Sequence, residues 1–285
     1  MTPDLTSRQG AGNVPGAGNG MTAARGGARA AVEAAERAFA GWSGTPPAQR
    51  RRLLQRASEL LMRRQSETAA LVTEETGGTL GWDRFDVQLA AGMLAYYAGQ
   101  AGAAAEEERE IPSQIPGKRA KAVPQPTGVV VGVVPWNAPV ILGVRAVAAP
   151  LAYGNTMVLK ASEQCPRTHA AIVDALTGAG VPAGAINLVT NEPQDAAAVV
   201  EELIAHPAVR RISFTGSTRA GRIIAQTAAR HLKRVLLELG GKAPLVVLAD
   251  ADLERAVAAA SFGSFMHQGQ ICMSTERHRG VINGS

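Results

Sequence analysis

The chain changes its hydrophobic rhythm once, near Gly128. Before it, apolar residues recur every three or four positions from Ala28 to Ala40, from Pro46 to Thr76 and from Asp83 to about Glu107, the spacing of helices that bury one face. Thr45-Pro46 supplies a cap and first-turn pair for the second of these. After the third, the segment REIPSQIPGKRAKAVPQPTG takes short polar and apolar steps between prolines, and predicts an extended hairpin over 108–127.

From Gly128 onward short β-branched runs alternate with helical stretches: VVVGVVPW, NTMVLKAS, INLVTN, VRRISFTG and RVLLELGG, with PLVVLAD close behind. Pieces such as PRTHAAIVDALTGAG and DAAAVVEELIAH are long enough to be crossover helices between parallel strands. The pattern predicts an α/β fold, a doubly wound parallel sheet over 128–241 preceded by N-terminal helices over 28–107. Residues 1–27, rich in Gly, Ala, Asn and Ser, read as a flexible arm. In such sheets ligands sit at the carboxyl ends of the strands, so the residues just after each run are the ones to inspect.

Composition narrows the classes. A chain of 285 residues with 46% hydrophobic and 19% charged residues can bury a proper core without staples. The net charge of +5 is mild and mostly arginine, and Arg50-Arg51-Arg52 precede apolar residues at helical spacing, so they read as a wet helix face and not as a nucleic-acid site. The longest apolar run, Gly128 to Gly154, is broken by Pro135, Asn137 and Arg145, which argues against a membrane span. The opening residues lack the apolar core of a signal peptide, and Cys165 and Cys272 give no disulfide framework, so a reducing cytoplasm is expected. The five histidines show no ligand spacing, and no metal is expected.

The strand ends carry the chemistry. They are Pro135-Trp136-Asn137, then Lys160-Ala161-Ser162-Glu163, then Phe214-Thr215-Gly216-Ser217-Thr218 with Gly221, then Glu238-Leu239-Gly240-Gly241-Lys242; beyond them, near the end of the helical stretch 252–268, lies Gly269-Gln270-Ile271-Cys272. In this order, and with 34 residues from Glu238 to Cys272, the chain resembles the aldehyde dehydrogenase superfamily from about residue 28 to Arg277. The wording PWNAPVILGVRAVAAPLAYGNT and GQICMSTER is similar to the branch acting on aromatic aldehydes such as benzaldehyde, vanillin and salicylaldehyde.

Chemistry gives each residue a role. A thiolate adds readily to an aldehyde and the adduct can expel hydride, which makes Cys272 the candidate nucleophile rather than an inert thiol. The resemblance assigns the oxyanion to the Asn137 side-chain amide and the Cys272 main-chain N–H. Glu238, after an apolar strand and beside two glycines, fits a base that activates water; structural pairing with Lys242 or an arginine is the alternative. Gly216-Ser217-Thr218 opens a helix where free N–H groups favour phosphate. The resemblance adds Trp136 and Ser217 near the pyrophosphate and Lys160 with Glu163 at the adenine ribose, and groups Ser162, Gly221 and Leu239 with the cofactor site. A carboxylate at the ribose hydroxyls favours NAD over NADP, a preference that Lys160 could soften. Cys165, before Pro166, reads as a structural thiol.

The resemblance also implies a second α/β domain, of which residues 242–285 are the start, on the order of 150–200 residues shorter than expected. His278 to Ser285 do not read as the apolar strand that family members carry there, and a frameshift or stop near 278 is the reading of that break. The ordered fold is expected to end near Gly241, with Phe262, Phe265 and Met266 on the helical stretch 252–268 left uncovered. Two functions follow: an NAD-dependent aldehyde dehydrogenase, or a non-catalytic remnant that at most binds the dinucleotide or a partner. Family members form homo-oligomers, and the hairpin at 108–127 resembles their subunit-contact arm, although its partner strand near the C-terminus is missing.

Overall fold

The computed structural model describes residues 21–23, 25–103 and 109–280. Four helices come first: α1 (Arg25–Ser43), α2 (Pro47–Arg63), α3 (Gln65–Thr76) and α4 (Leu80–Gln100). The stretch 46–76, which reads as a single helix, breaks at Arg64, where ψ turns to 16°. Buried positions 54, 57, 61, 68 and 72 keep one stripe across the break, so the periodicity does not betray it. The expected hairpin is present as β2 (Arg109–Ile111) antiparallel to β3 (Ala120–Ala122).

Strand and helix then alternate: β4 (Val129–Val133), α5 (Pro139–Ala152), β5 (Thr156–Lys160), α6 (Pro166–Gly178), β6 (Ile186–Thr190), α7 (Ala196–Ala205), β7 (Val209–Gly216), α8 (Thr218–Arg230) and β8 (Arg234–Leu239). The five strands and β1 (Met21–Ala23) form one sheet, ordered β1-β6-β5-β4-β7-β8, with every neighbour parallel. β1 falls inside the stretch that reads as a flexible arm, and it is held by pairing with β6, a tertiary contact that local composition does not encode. Residues 1–20 of that arm lie outside the described residues.

Period-two alternation explains why both faces are covered. Val130, Met157, Leu159 and Leu188 pack under α2, α4, α5 and α6, whereas Val129, Val131, Val158 and Val189 pack under α1, α7 and α8. At β8 only one face is covered: Val235, Leu237 and Leu239 meet the core, while Leu236 on the other face is 55% exposed.

Beyond β8 the chain does not stop folding at Gly241. β9 (Ala243–Val247) and β10 (Thr275–Gly280) form a separate two-stranded parallel sheet, joined by α9 (Leu253–Phe265). His278, Arg279 and Gly280, which do not read as an apolar strand, take part in β10, because main-chain pairing with β9 does not require apolar side chains; 281–285 lie outside the described residues. The helical stretch expected to reach 268 ends at Phe265 and gives way to a 3₁₀ turn, Met266–Gly269. As expected, Phe262 and Phe265 are exposed, and no residue of α9 is buried.

Candidate active site

Sheet register lines up the strand ends. Lys160 closes β5 beside Val133 of β4, Val133 lies beside Phe214 of β7, and β7 and β8 continue together to place Thr215 beside Glu238 and Gly216 beside Leu239. The segments that follow these positions therefore rise along one edge, where a parallel sheet presents its crevice.

A cavity of about 300 Å³ opens there, lined by Asn137, Arg145, Gly216, Ser217, Glu238, Leu239 and Cys272 among others. The structure brings the thiol, the amide and the carboxylate into one space, together with the start of α8. Trp136, Lys160, Ser162 and Glu163, at neighbouring strand ends, and Gly221, in the first turn of α8, do not line this cavity.

Cys272 sits on an exposed loop held by two short main-chain bonds, from Gln270 N to the His267 oxygen and from Ser274 N to the Ile271 oxygen, each 3.0 Å. The loop lies against the glycine pair after β8; a Cβ on Gly241 would stand 3.4 Å from the Cys272 carbonyl oxygen. Asn137 Nδ2 donates to the Gln270 oxygen at 2.8 Å. An amide nitrogen carries two hydrogens, so one remains for an oxyanion beside Cys272.

Glu238 is ion-paired with Arg145 of α5 at 3.1 Å, with both side chains partly exposed. The sequence alternative of an arginine partner is thus realised, while Lys242 pairs with Glu276 instead. Sequence reading noted Arg145 only as a break in an apolar run. A charge inside PVILGVRAVAAPLA, a helix buried along most of its length, is the signal that could have flagged it.

On the far side of the crevice Lys160 is buried and paired with Glu163, which also accepts from Asn191 Nδ2 at 3.0 Å. Burial pushes the Glu163 carboxyl up, but the Lys160 ammonium, the main chain and the Asn191 amide outweigh it and hold the group below its ordinary value. Ser162 is buried, and its Oγ accepts from Gln164 N at 3.3 Å. Ser217 caps α8, its Oγ accepting from Ala220 N at 3.2 Å. Gly221 lets α8 approach β8, since a Cβ there would come within 2.6 Å of a Leu239 methyl.

Cys165 is buried, 3.7 Å from His169 Nδ1, and burial pushes its thiol up to about 12, as a structural thiol requires. Among the described residues no cluster of three or more His, Cys, Asp or Glu could hold a metal ion, and no helix is long and apolar enough to cross a membrane.

An open parallel sheet with a thiol, an amide donor and a carboxylate gathered at its carboxyl edge defines a nucleotide-binding type of α/β domain that carries a thiol centre. The model of the aldehyde dehydrogenase family matches residues 17–279, and the chain belongs to that family. It is 57% identical over 250 residues to a vanillin dehydrogenase of Pseudomonas sp. strain HR199, covering 88% of this chain and 51% of that protein. The solved salicylaldehyde dehydrogenase of Pseudomonas putida G7, complexed with salicylaldehyde, superposes with a TM-score of 0.86 at 43% identity, over 89% of this chain and 52% of that one. An NADP-dependent succinate-semialdehyde dehydrogenase of Deinococcus radiodurans is 40% identical over 248 residues, 87% of this chain and 50% of that protein. The chain spans about half the length of the relatives it matches.

Proposed function

We propose that this chain acts as an NAD-dependent aldehyde dehydrogenase that converts an aromatic aldehyde to its carboxylic acid in a reducing cytoplasm. The observation that carries the reading is the shared cavity of Cys272, Asn137 and Glu238 at the opening of α8. The similarity to vanillin and salicylaldehyde dehydrogenases supports the aromatic substrate. In the domain reading, residues 128–241 bind the dinucleotide, 242–285 begin the unit that carries Cys272, and the β2–β3 hairpin serves subunit contact.

The residues fit a dinucleotide. The first turn of α8 offers main-chain N–H groups to a pyrophosphate beside Gly216-Ser217, and Glu163, held ionised by Lys160, is an acceptor for ribose hydroxyls that would repel a 2′-phosphate. When bound, the nicotinamide supplies an acceptor for hydride. The Cys272 thiolate adds to the aldehyde carbon, and the oxygen that gains charge is received by the free Asn137 N–H and the Cys272 main-chain N–H. Loss of hydride leaves a thioester on Sγ. Glu238 takes a proton from water so that hydroxide cleaves the thioester, releasing the acid and the Cys272 thiolate, and Glu238 then gives its proton to solvent. For that step its carboxylate must exchange the Arg145 guanidinium for water.

A second reading, a dinucleotide-binding module without turnover, is favoured by the exposure of Cys272 and by the absence of any buried residue in α9. One experiment separates them. Aldehyde-dependent NADH formation that vanishes in Cys272→Ala supports the enzyme; NAD binding that ignores the substitution, without turnover, supports the module.

A further inference from the structure

Two contacts from α4 reach the two arms of the site from behind. Trp82 and Asp86 are four residues apart and share one face of that helix. Asp86 is fully buried, and its two oxygens accept from the main-chain N–H groups of Val140, at 3.0 Å, and Ile141, at 2.8 Å. These are first-turn donors of α5, whose first residue is Pro139 and whose preceding Ala138 has no side chain to offer them. Asp86 is therefore the cap of α5, supplied from another helix, and it anchors the loop that carries Asn137.

Trp82 stacks on His267 with ring centroids 4.7 Å apart and planes at 14°. His267, Gln268 and Gly269 have φ of 48°, 53° and 73°, a left-handed run in which the first two residues carry the Cβ penalty. The His267 ring is buried against Trp82, so the stack holds this turn, together with the bonds from Gln270 N to the His267 oxygen and from Asn137 Nδ2 to the Gln270 oxygen. The turn delivers the Gln270 oxygen to Asn137, and Cys272 follows two residues later.

The geometry points to α4 as the brace of the site: Trp82, through His267, and Asp86, through Val140 and Ile141, are positioning residues that set the spacing between Cys272 and Asn137. The inference rests on the proposed roles of those two residues for its catalytic consequence only, and it is tested on the main chain of the full protein.

Hydrogen exchange read by mass spectrometry is the test, with alkylation of Cys272 alongside. Trp82→Leu is expected to speed exchange over 266–274 by about tenfold and to change the Cys272 alkylation rate, with β5, β6 and Cys165 as protected as before. Trp82→Phe, which keeps a ring to stack, restores both. Asp86→Ala speeds exchange over 138–143, and Asp86→Asn, which keeps one acceptor, does so less. Wild-type exchange in these segments, or a rise shared equally by β5 and β6, overturns the brace. Exchange that behaves as expected in a chain without turnover keeps the brace and counts against the enzymatic reading alone.

Discussion

Asn137 Nδ2 donates to the main-chain oxygen of Gln270 across 2.8 Å, tying the loop after β4 to the loop of Cys272, 133 positions further along the chain. One side chain thus does two things: it ties the Cys272 loop to the loop after β4 and it lines the cavity.

Asn137→Ala removes both. An oxyanion donor lost in this way lowers kcat by about 10²–10³. The lost hydrogen bond is worth about 1 kcal/mol, which lowers Tm by about 2–4 °C in a chain of this size. Initial rates and a melting curve on one preparation check both numbers, and a variant with wild-type kcat removes Asn137 from the chemistry.

Two buried groups titrate against each other. Burial raises the Asp86 carboxyl from 3.8 to about 7 despite the N–H groups of Ile141 and Val140, while burial lowers the His169 ring from 6.5 to about 4. A raised folded pKa gives stability that is complete below the unfolded value and is lost as pH rises through the folded one, so Asp86 destabilises the fold as pH climbs toward about 7. A lowered histidine works the other way, with stability lost as pH falls through about 4. The two slopes oppose each other over the same window. Asp86→Asn should leave a chain that weakens in acid, and His169→Gln one that strengthens in acid, as urea midpoints taken across that window will show.

Gly269 stands at φ 73°, and a Cβ there would lie 3.1 Å from the Ser264 oxygen. Gly269→Ala strains the turn before Cys272 by about 1–2 kcal/mol. The expected result is a loss of turnover larger than the loss of stability, measured as kcat against urea midpoint.

The two thiols differ sharply. Cys272 is exposed, whereas Cys165 is buried and pushed up to about 12. Iodoacetamide at mildly alkaline pH is expected to modify Cys272 and spare Cys165 until the chain unfolds. Equal labelling of both in the folded protein would contradict the burial of Cys165.

The sheet was legible because its signal is local: β4 to β8 are short apolar runs bounded by turn residues, buried on both faces in β4 to β6, and each is where the pattern places it. Asn137 and Glu238 were legible from the strand-end rule and Cys272 from its chemistry and the resemblance, and the three line one cavity. Contacts between distant segments were not. The pairing of β1 with β6, the cap that Asp86 gives α5, the Trp82–His267 stack and the ion pair from Arg145 to Glu238 join residues whose local sequence announces nothing of the partner. The break at Arg64 was hidden because the apolar stripe runs through it.

Leu236 on the open face of β8 and Phe262 and Phe265 on α9 are exposed. A displacement of about 1 Å between reacting groups can cost about a hundredfold in rate, so the residues named above are tested most severely by turnover itself. The direct measurement is NADH absorbance from the purified chain with NAD and vanillin, salicylaldehyde or benzaldehyde, in parallel with Cys272→Ala and with circular dichroism of both proteins. The account predicts aldehyde-dependent NADH from the wild-type chain and none from the variant. Equal rates in the two, or no NADH from wild-type protein that is folded and binds NAD, would contradict it.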